Sequence, residues 1–83
     1  METFNVVQFF KDGTAEYVRR GVGAEEAVKA FAHYTQSVAV RLGFVERVVI
    51  TDDGDSVNME WKKGEGITYP PEAVRQAAAG KAI

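Results

Sequence analysis

Acidic residues concentrate at one point of this 83-residue chain, in the segment Asp52-Asp53-Gly54-Asp55. Carboxylates spaced around a glycine resemble the start of a calcium loop, whose ligands continue to a glutamate at the twelfth position. Here strand-type residues follow instead, and an Asp-Gly pair is also a common hairpin turn. The sequence therefore predicts a turn at Asp53-Gly54, and neither a metal nor a cofactor is expected.

His33 is the single histidine of the chain, and there is no cysteine. Ser37 follows His33 by one helical turn, but a general base also needs an orienting carboxylate, and the helical neighbours of His33 supply none. An enzyme would require a site shared between subunits, for example His33 or Glu60 with Arg47 across an interface. The sequence favours a role without catalysis.

Two further motifs could bind phosphate or nucleic acid. Gly64-Glu65-Gly66 lacks the complete glycine spacing and the lysine of a phosphate loop, so it is interpreted as a flexible exit from the last strand. The aromatic residues Phe9, Tyr17 and Trp61 could form a stacking platform on a sheet beside two basic pairs, which are Arg19, Arg20, Lys62 and Lys63. The net charge of −2 argues against strong attraction to nucleic acid.

A chain of this length forms one small domain whose stability is thin unless a partner, metal or disulfide adds to it. Disulfides are excluded by the absence of cysteine. No apolar run approaches the roughly 18 residues of a membrane span, and the N-terminus has no basic signal region. We expect a cytoplasmic protein that does not enter the membrane.

Two Asp-Gly turns, Asp12-Gly13 and Asp53-Gly54, stand on either side of one helical segment, 24–42. Strand-type runs flank each turn. The predicted fold is α+β, with two β-hairpins flanking one long helix (ββαββ) and a four-stranded sheet with the helix on one face. The ββαββ domain spans 1–69, and 70–83 form a C-terminal tail or short helix.

The register of the first hairpin is open between two turns. A two-residue turn pairs Phe10 with Ala15, whereas a three-residue turn with a bulge at Gly13 pairs Phe9 with Ala15. The second is favoured because it also pairs Val7 with Tyr17 and Val6 with Val18 on apolar faces.

In the second hairpin, a two-residue turn pairs Val48 with Met59 and Glu46 with Trp61. It also places Arg47 opposite Glu60, an arrangement of opposite charges worth about 0.2–1 kcal/mol. Agreement between the apolar pairs and the charged pair supports this register.

The predicted helix begins near Ala24 and ends before Gly43. Its apolar stripe at helical spacing includes Phe31, Val38 and Leu42, whereas Val40 falls on the opposite side. Small alanines along the helix allow it to approach a sheet closely.

One helix covers only one face of such a sheet, so apolar residues remain on the other face. The predicted interface residues are Phe4, Val6, Phe10, Val18, Val45 and Val49. An uncovered apolar patch favours association, which predicts a homodimer formed through the open face or by edge pairing. The expected function is a small self-associating interaction or accessory domain, an unknown protein partner is also compatible, and the alternative is a nucleic-acid-binding or regulatory module.

Overall fold

The computed structural model describes residues 2–71, 73–74 and 77. It is an α+β domain with an antiparallel sheet of five strands in the order β2-β1-β3-β4-β5. The elements are β1 Phe4–Phe10, β2 Ala15–Val22, α1 Ala24–Thr35, α2 Val38–Arg41, β3 Val45–Asp52, β4 Val57–Lys62 and β5 Gly66–Tyr69. The strands β2 and β3 both pair with β1, so the helical connection between them passes over β1.

The predicted four-stranded sheet is wrong because the chain adds a fifth strand. Gly64 and Gly66 adopt positive φ angles of 86° and 78°, which glycine accepts without strain, and they turn the chain back from β4 to β5. Gly64-Glu65-Gly66 is thus part of a hairpin connection. The prolines that follow suit this position because β5 lies at the sheet edge.

The prediction of one uninterrupted helix over 24–42 is also wrong, because the helix breaks after Thr35. Ser37 caps a second short helix, its Oγ accepting a hydrogen bond from Val40 N at 3.2 Å. Serine and threonine side chains compete in this way with helical hydrogen bonds. The break changes the helical phase, so that Val40 is buried whereas Val38 and Leu42 point outward.

The first hairpin has the favoured three-residue turn, with Gly13 at φ 92° and the pairs Phe9–Ala15 and Val7–Tyr17. A bulge near Val18 then pairs Val6 with Arg19 in place of the predicted Val18.

The second hairpin has a longer turn than predicted. Asp52 N donates to Ser56 O at 3.0 Å, and Asp55 takes the left-handed conformation at φ 62°. Val48 consequently pairs with Trp61 rather than Met59, and Lys62 lies opposite Arg47. From Met59 to Lys62 the shift is two residues, which keeps these side chains on their predicted faces, since strand side chains alternate with a period of two. A bulge between Ile50 and Thr51 then places Val57 opposite Thr51.

The core lies between the helices and one side of the sheet, which we call the covered face. Ala27, Ala30 and Phe31 of α1 pack on Val6 and Val48, which are fully buried. The alanines allow the close approach that the sequence predicts. Both helices lie on this side, so within the described chain the opposite side, the open face, has no second layer.

The predicted C-terminal helix falls largely outside the described residues. Ala73, Val74 and Ala77 have helical backbone, and Val74 is exposed. None of the helices in the described ranges is long and apolar enough to cross a membrane.

Candidate binding surfaces

The open face consists of rows of side chains that run across the strands. One row joins Phe9, Arg47 and Lys62, which are directly opposite one another on β1, β3 and β4. The next row is set by the same pairing and contains Tyr17, Val7, Val49, Glu60 and Tyr69.

Two valines at the centre of the open face are buried although no helix covers them. Val7 is 4% exposed and Val49 is 1% exposed. Longer side chains of the two rows surround them, including Phe9, Arg47 and Glu60. The centre of this face is therefore shielded by side chains of the sheet itself.

Arg47 holds this cover together through two contacts. Its guanidinium lies 4.5 Å from the centre of the Phe9 ring and forms an ion pair with Glu60. The Glu60 carboxylate also accepts a hydrogen bond from Thr68 Oγ1 at 2.6 Å. The hydrogen bond from Thr68, followed by the interaction with Arg47, lowers the pKa of Glu60 below its ordinary value.

A second cation–π pair lies at the edge of the sheet and is more exposed than the pair of Arg47 and Phe9. The Arg20 guanidinium lies 4.2 Å from the centre of the Tyr17 ring. Arg20 and Lys62 form no ion pair within the described part of the chain. The open face therefore presents two positive charges that form no ion pair in the described ranges, although the charge of Lys62 also acts on the nearby Glu60 carboxylate.

The four basic residues predicted from sequence separate onto different surfaces. Arg20 and Lys62 are on the open face. Arg19 turns to the covered side, where it contacts Glu26 at 3.6 Å and lies over the ring of Tyr34. Lys63 is exposed near Gly43, after the helical segment. The aromatic Trp61 packs on the covered side, so the predicted platform keeps Phe9 and Tyr17 but not Trp61.

The predicted interface residues divide unequally between the faces. Phe4, Val6, Phe10, Val18 and Val45 pack with the core of the covered face. Val49 alone of the predicted set lies on the open face, opposite Val7. The excess apolar surface that the sequence assigns to the open face is thus mostly used by the helices.

In the acidic turn, Asp52-Asp53-Gly54-Asp55, the Asp52 carboxylate stabilises the turn itself. Asp52 Oδ1 accepts hydrogen bonds from Gly54 N at 2.9 Å and Ser56 N at 3.0 Å. Among these contacts the Ser56 hydrogen bond contributes most to lowering the pKa of Asp52 below its ordinary value. Within the described ranges, no group of three or more histidine or acidic side chains could hold a metal ion.

His33 is exposed on α1, and its ring meets the edge of the Tyr34 ring with centroids 5.1 Å apart. Glu60 and Arg47 pair with each other inside one chain. These groups consequently form no cluster with His33 in the described structure.

A second candidate surface lies at the end of the molecule and follows from the helix break. Val38, Leu42 and Phe44 are 59%, 65% and 61% exposed, and we call them the apolar end patch. Phe44 also lines an open depression of about 510 Å³ together with Phe10. Sequence periodicity missed this patch because it placed Val38 and Leu42 on the buried stripe; the Ser37 cap is the signal that could have found it.

A smaller apolar groove of about 170 Å³ lies between α1 and β4, where Val28 and Met59 are among the lining residues. The helices contact mainly β1, β2 and β3, which leaves the covered side of β4 less enclosed.

No protein-family model matches this chain, and no significant match is found among curated proteins or solved structures.

Proposed function

We propose that this protein is a small interaction domain that associates with a second copy of itself through the apolar end patch. The observation that carries the proposal is the exposure of Val38, Leu42 and Phe44, three large apolar side chains within seven residues of chain. Single exposed apolar residues are normal on a protein surface, whereas a group of them favours an interaction site.

The two association routes expected from sequence are less favourable than this patch. Docking two open faces would place the positive charges of both copies, Arg20 and Lys62, in one interface, and these residues have no ion-pair partner within the described ranges. The edge strand β2 carries bulges and charged residues, features that oppose edge-to-edge pairing. The opposite edge, β5, has only four residues.

An identical partner fits the rim of the patch. Lys11 and Asp12 line the depression beside Phe44, so both signs of charge border the apolar centre. In a twofold interface the same surface meets itself, and Lys11 of one copy can approach Asp12 of the other. A strongly charged partner would match such a mixed rim less well.

Sedimentation equilibrium at tens of micromolar tests the proposal. We expect a dimer for the wild-type protein and a monomer for Phe44→Glu, because a buried unpaired carboxylate strongly opposes association. Val28→Glu is the matched control, since Val28 is exposed to a similar extent on another surface. Far-UV circular dichroism verifies that both variants fold.

Two results would overturn the proposal. One is a monomeric wild-type protein at tens of micromolar. The other is dissociation by Val28→Glu to the same degree as by Phe44→Glu, since that would place the interface elsewhere.

A further inference from the structure

We infer that the open face binds single-stranded nucleic acid, with Tyr17 and Tyr69 as stacking groups and Arg20 and Lys62 as phosphate contacts. This surface is separate from the apolar end patch, so the inference does not depend on self-association.

The aromatic groups have the exposure and the spacing that such binding needs. Tyr17 on β2 and Tyr69 on β5 are 42% and 46% exposed at the two ends of one row. Four strand intervals of roughly 4.8 Å separate them by about 19 Å. A strand of nucleic acid that crosses the sheet can therefore stack one base at each end.

The charges between these tyrosines favour an anionic ligand. Arg47 is engaged by Glu60, whereas Arg20 and Lys62 make no ion pair in the described ranges. Arg20 rests on the Tyr17 ring, and an exposed cation–π contact of this kind is weak. Arg20 can leave the ring to meet a phosphate, and the Tyr17 ring then becomes available to a base.

The combination of groups distinguishes nucleic acid from an acidic peptide. An acidic peptide offers carboxylates to Arg20 and Lys62 but has no regular series of planar groups for the tyrosines. A single strand carries bases and phosphates in alternation, and both aromatic rings and guanidinium planes stack on bases. A duplex keeps its bases paired and stacked internally, so it cannot supply them to this flat face.

The dependence of affinity on salt follows from the number of cations on this face that form no ion pair in the described ranges. Each phosphate contact on a single strand contributes about −0.7 to the slope of log affinity against log salt concentration. Two contacts predict a slope of about −1.4. Because the whole chain has a net charge of −2, we expect binding to be detectable mainly at low salt.

Fluorescence anisotropy of a labelled 12-nucleotide oligothymidylate, measured from 20 to 200 mM salt, tests this inference. We expect Tyr17→Ala to weaken binding by about 5-fold or more, the effect of losing one stacked base. Arg20→Gln is expected to reduce the salt slope by about 0.7. Arg41→Gln is the matched control because Arg41 is an exposed arginine on α2, away from the open face.

The inference is overturned if wild-type protein binds no oligothymidylate at 20 mM salt, or if Arg41→Gln weakens binding as much as Arg20→Gln. Equal competition by poly-L-glutamate would assign the face to acidic polymers instead. Equal affinity for a duplex of the same length would exclude stacking as the basis of recognition. Circular dichroism of Tyr17→Ala and Arg20→Gln confirms that a loss of binding is not a loss of folding.

Discussion

The two faces of the sheet bury valines to the same degree by different means. On the covered face, Val6 and Val48 lie beneath α1, and their side chains are fully buried. On the open face, Val7 and Val49 are nearly as buried, yet their cover consists of neighbouring side chains such as Arg47. A packed helix is fixed by many contacts, whereas long polar side chains can move when a ligand arrives. The side chains over the open face can therefore rearrange at a smaller cost in stability than the helix over the covered face.

Removing one valine from each face tests this difference most strongly. We expect Val48→Ala to lower the free energy of unfolding by about 2–3 kcal/mol, because the helix above cannot close the cavity. Val49→Ala should cost about 1 kcal/mol, because movable side chains can collapse onto the smaller residue. Urea denaturation of both variants measures the two values. Equal losses would mean that the open face is packed as rigidly as the covered face.

Gln8 is a polar residue buried on the covered face, and its replacement should give the next largest change in the free energy of unfolding. Its Nε2 donates to Glu16 Oε1 at 2.7 Å, but its buried Oε1 has no hydrogen-bond partner. Replacing Gln8 with leucine removes an unsatisfied acceptor, so we expect an increase in stability of about 1–2 kcal/mol. Thermal and urea unfolding measure the change. A lower stability for Gln8→Leu would indicate that the Glu16 hydrogen bond outweighs the unsatisfied oxygen.

On the open face, the Arg47–Glu60 ion pair should contribute less than a core valine. Both side chains are partly buried, and Thr68 adds a hydrogen bond to Glu60. A double-mutant cycle with Arg47→Met and Glu60→Gln should give a coupling free energy of about 1 kcal/mol. No coupling would mean that the cover over Val49 is held by packing alone.

The same carboxylate should make the open face sensitive to acid. Because the folded-state pKa of Glu60 lies below its ordinary value, its stabilising effect is present at pH values above that ordinary value. The stabilisation is lost as pH falls through the lowered folded-state pKa. Midpoints of urea unfolding from pH 7 to pH 3 should fall less steeply for Glu60→Gln than for wild type. Glu65→Gln, which alters an exposed carboxylate in the turn before β5, is the control and should follow wild type.

The smallest expected change in stability belongs to Arg20→Gln. Arg20 is exposed, and within the described residues its side chain contacts the Tyr17 ring of the edge strand, so stability should change by no more than about 0.5 kcal/mol. Affinity for single strands should nevertheless change, which separates the binding role of this residue from a structural one. A clear loss of stability would show that the Arg20–Tyr17 pair supports the sheet.

Much of the fold was predictable because it depends on local preferences. Alternating aromatic and β-branched residues predicted strands on both sides of each Asp-Gly turn, and glycine at the left-handed position predicted the first register. The short β5 was not predictable in this way, since its few residues lie between glycines and prolines and gain stability only from pairing with β4. The length of the second turn was not predictable either. A left-handed conformation is expected at Gly54, but Asp55 adopts it instead.

The candidate surfaces were less predictable than the elements that carry them. Arg20, Lys62, Phe9 and Tyr17 were recognised as possible binding residues, but the place of Arg47 between them arises from three strands that are distant in sequence. The exposure of Val38 and Leu42 follows from the helix break at Ser37. The Ser37 hydroxyl caps a new helix there, and the changed helical phase exposes two residues that the sequence pattern placed on the buried side.

By itself, the sequence determined the α+β class, the first four strands and the turn role of the acidic segment. Those features follow from period-two patterning, turn chemistry and helix-forming stretches, all of which act over a few residues. The tertiary structure alone decided which apolar residues the helices cover and which charges remain free on the open face. That decision depends on bulges, on the break before α2 and on pairing between distant strands, because each of these changes the direction of side chains without changing the local pattern.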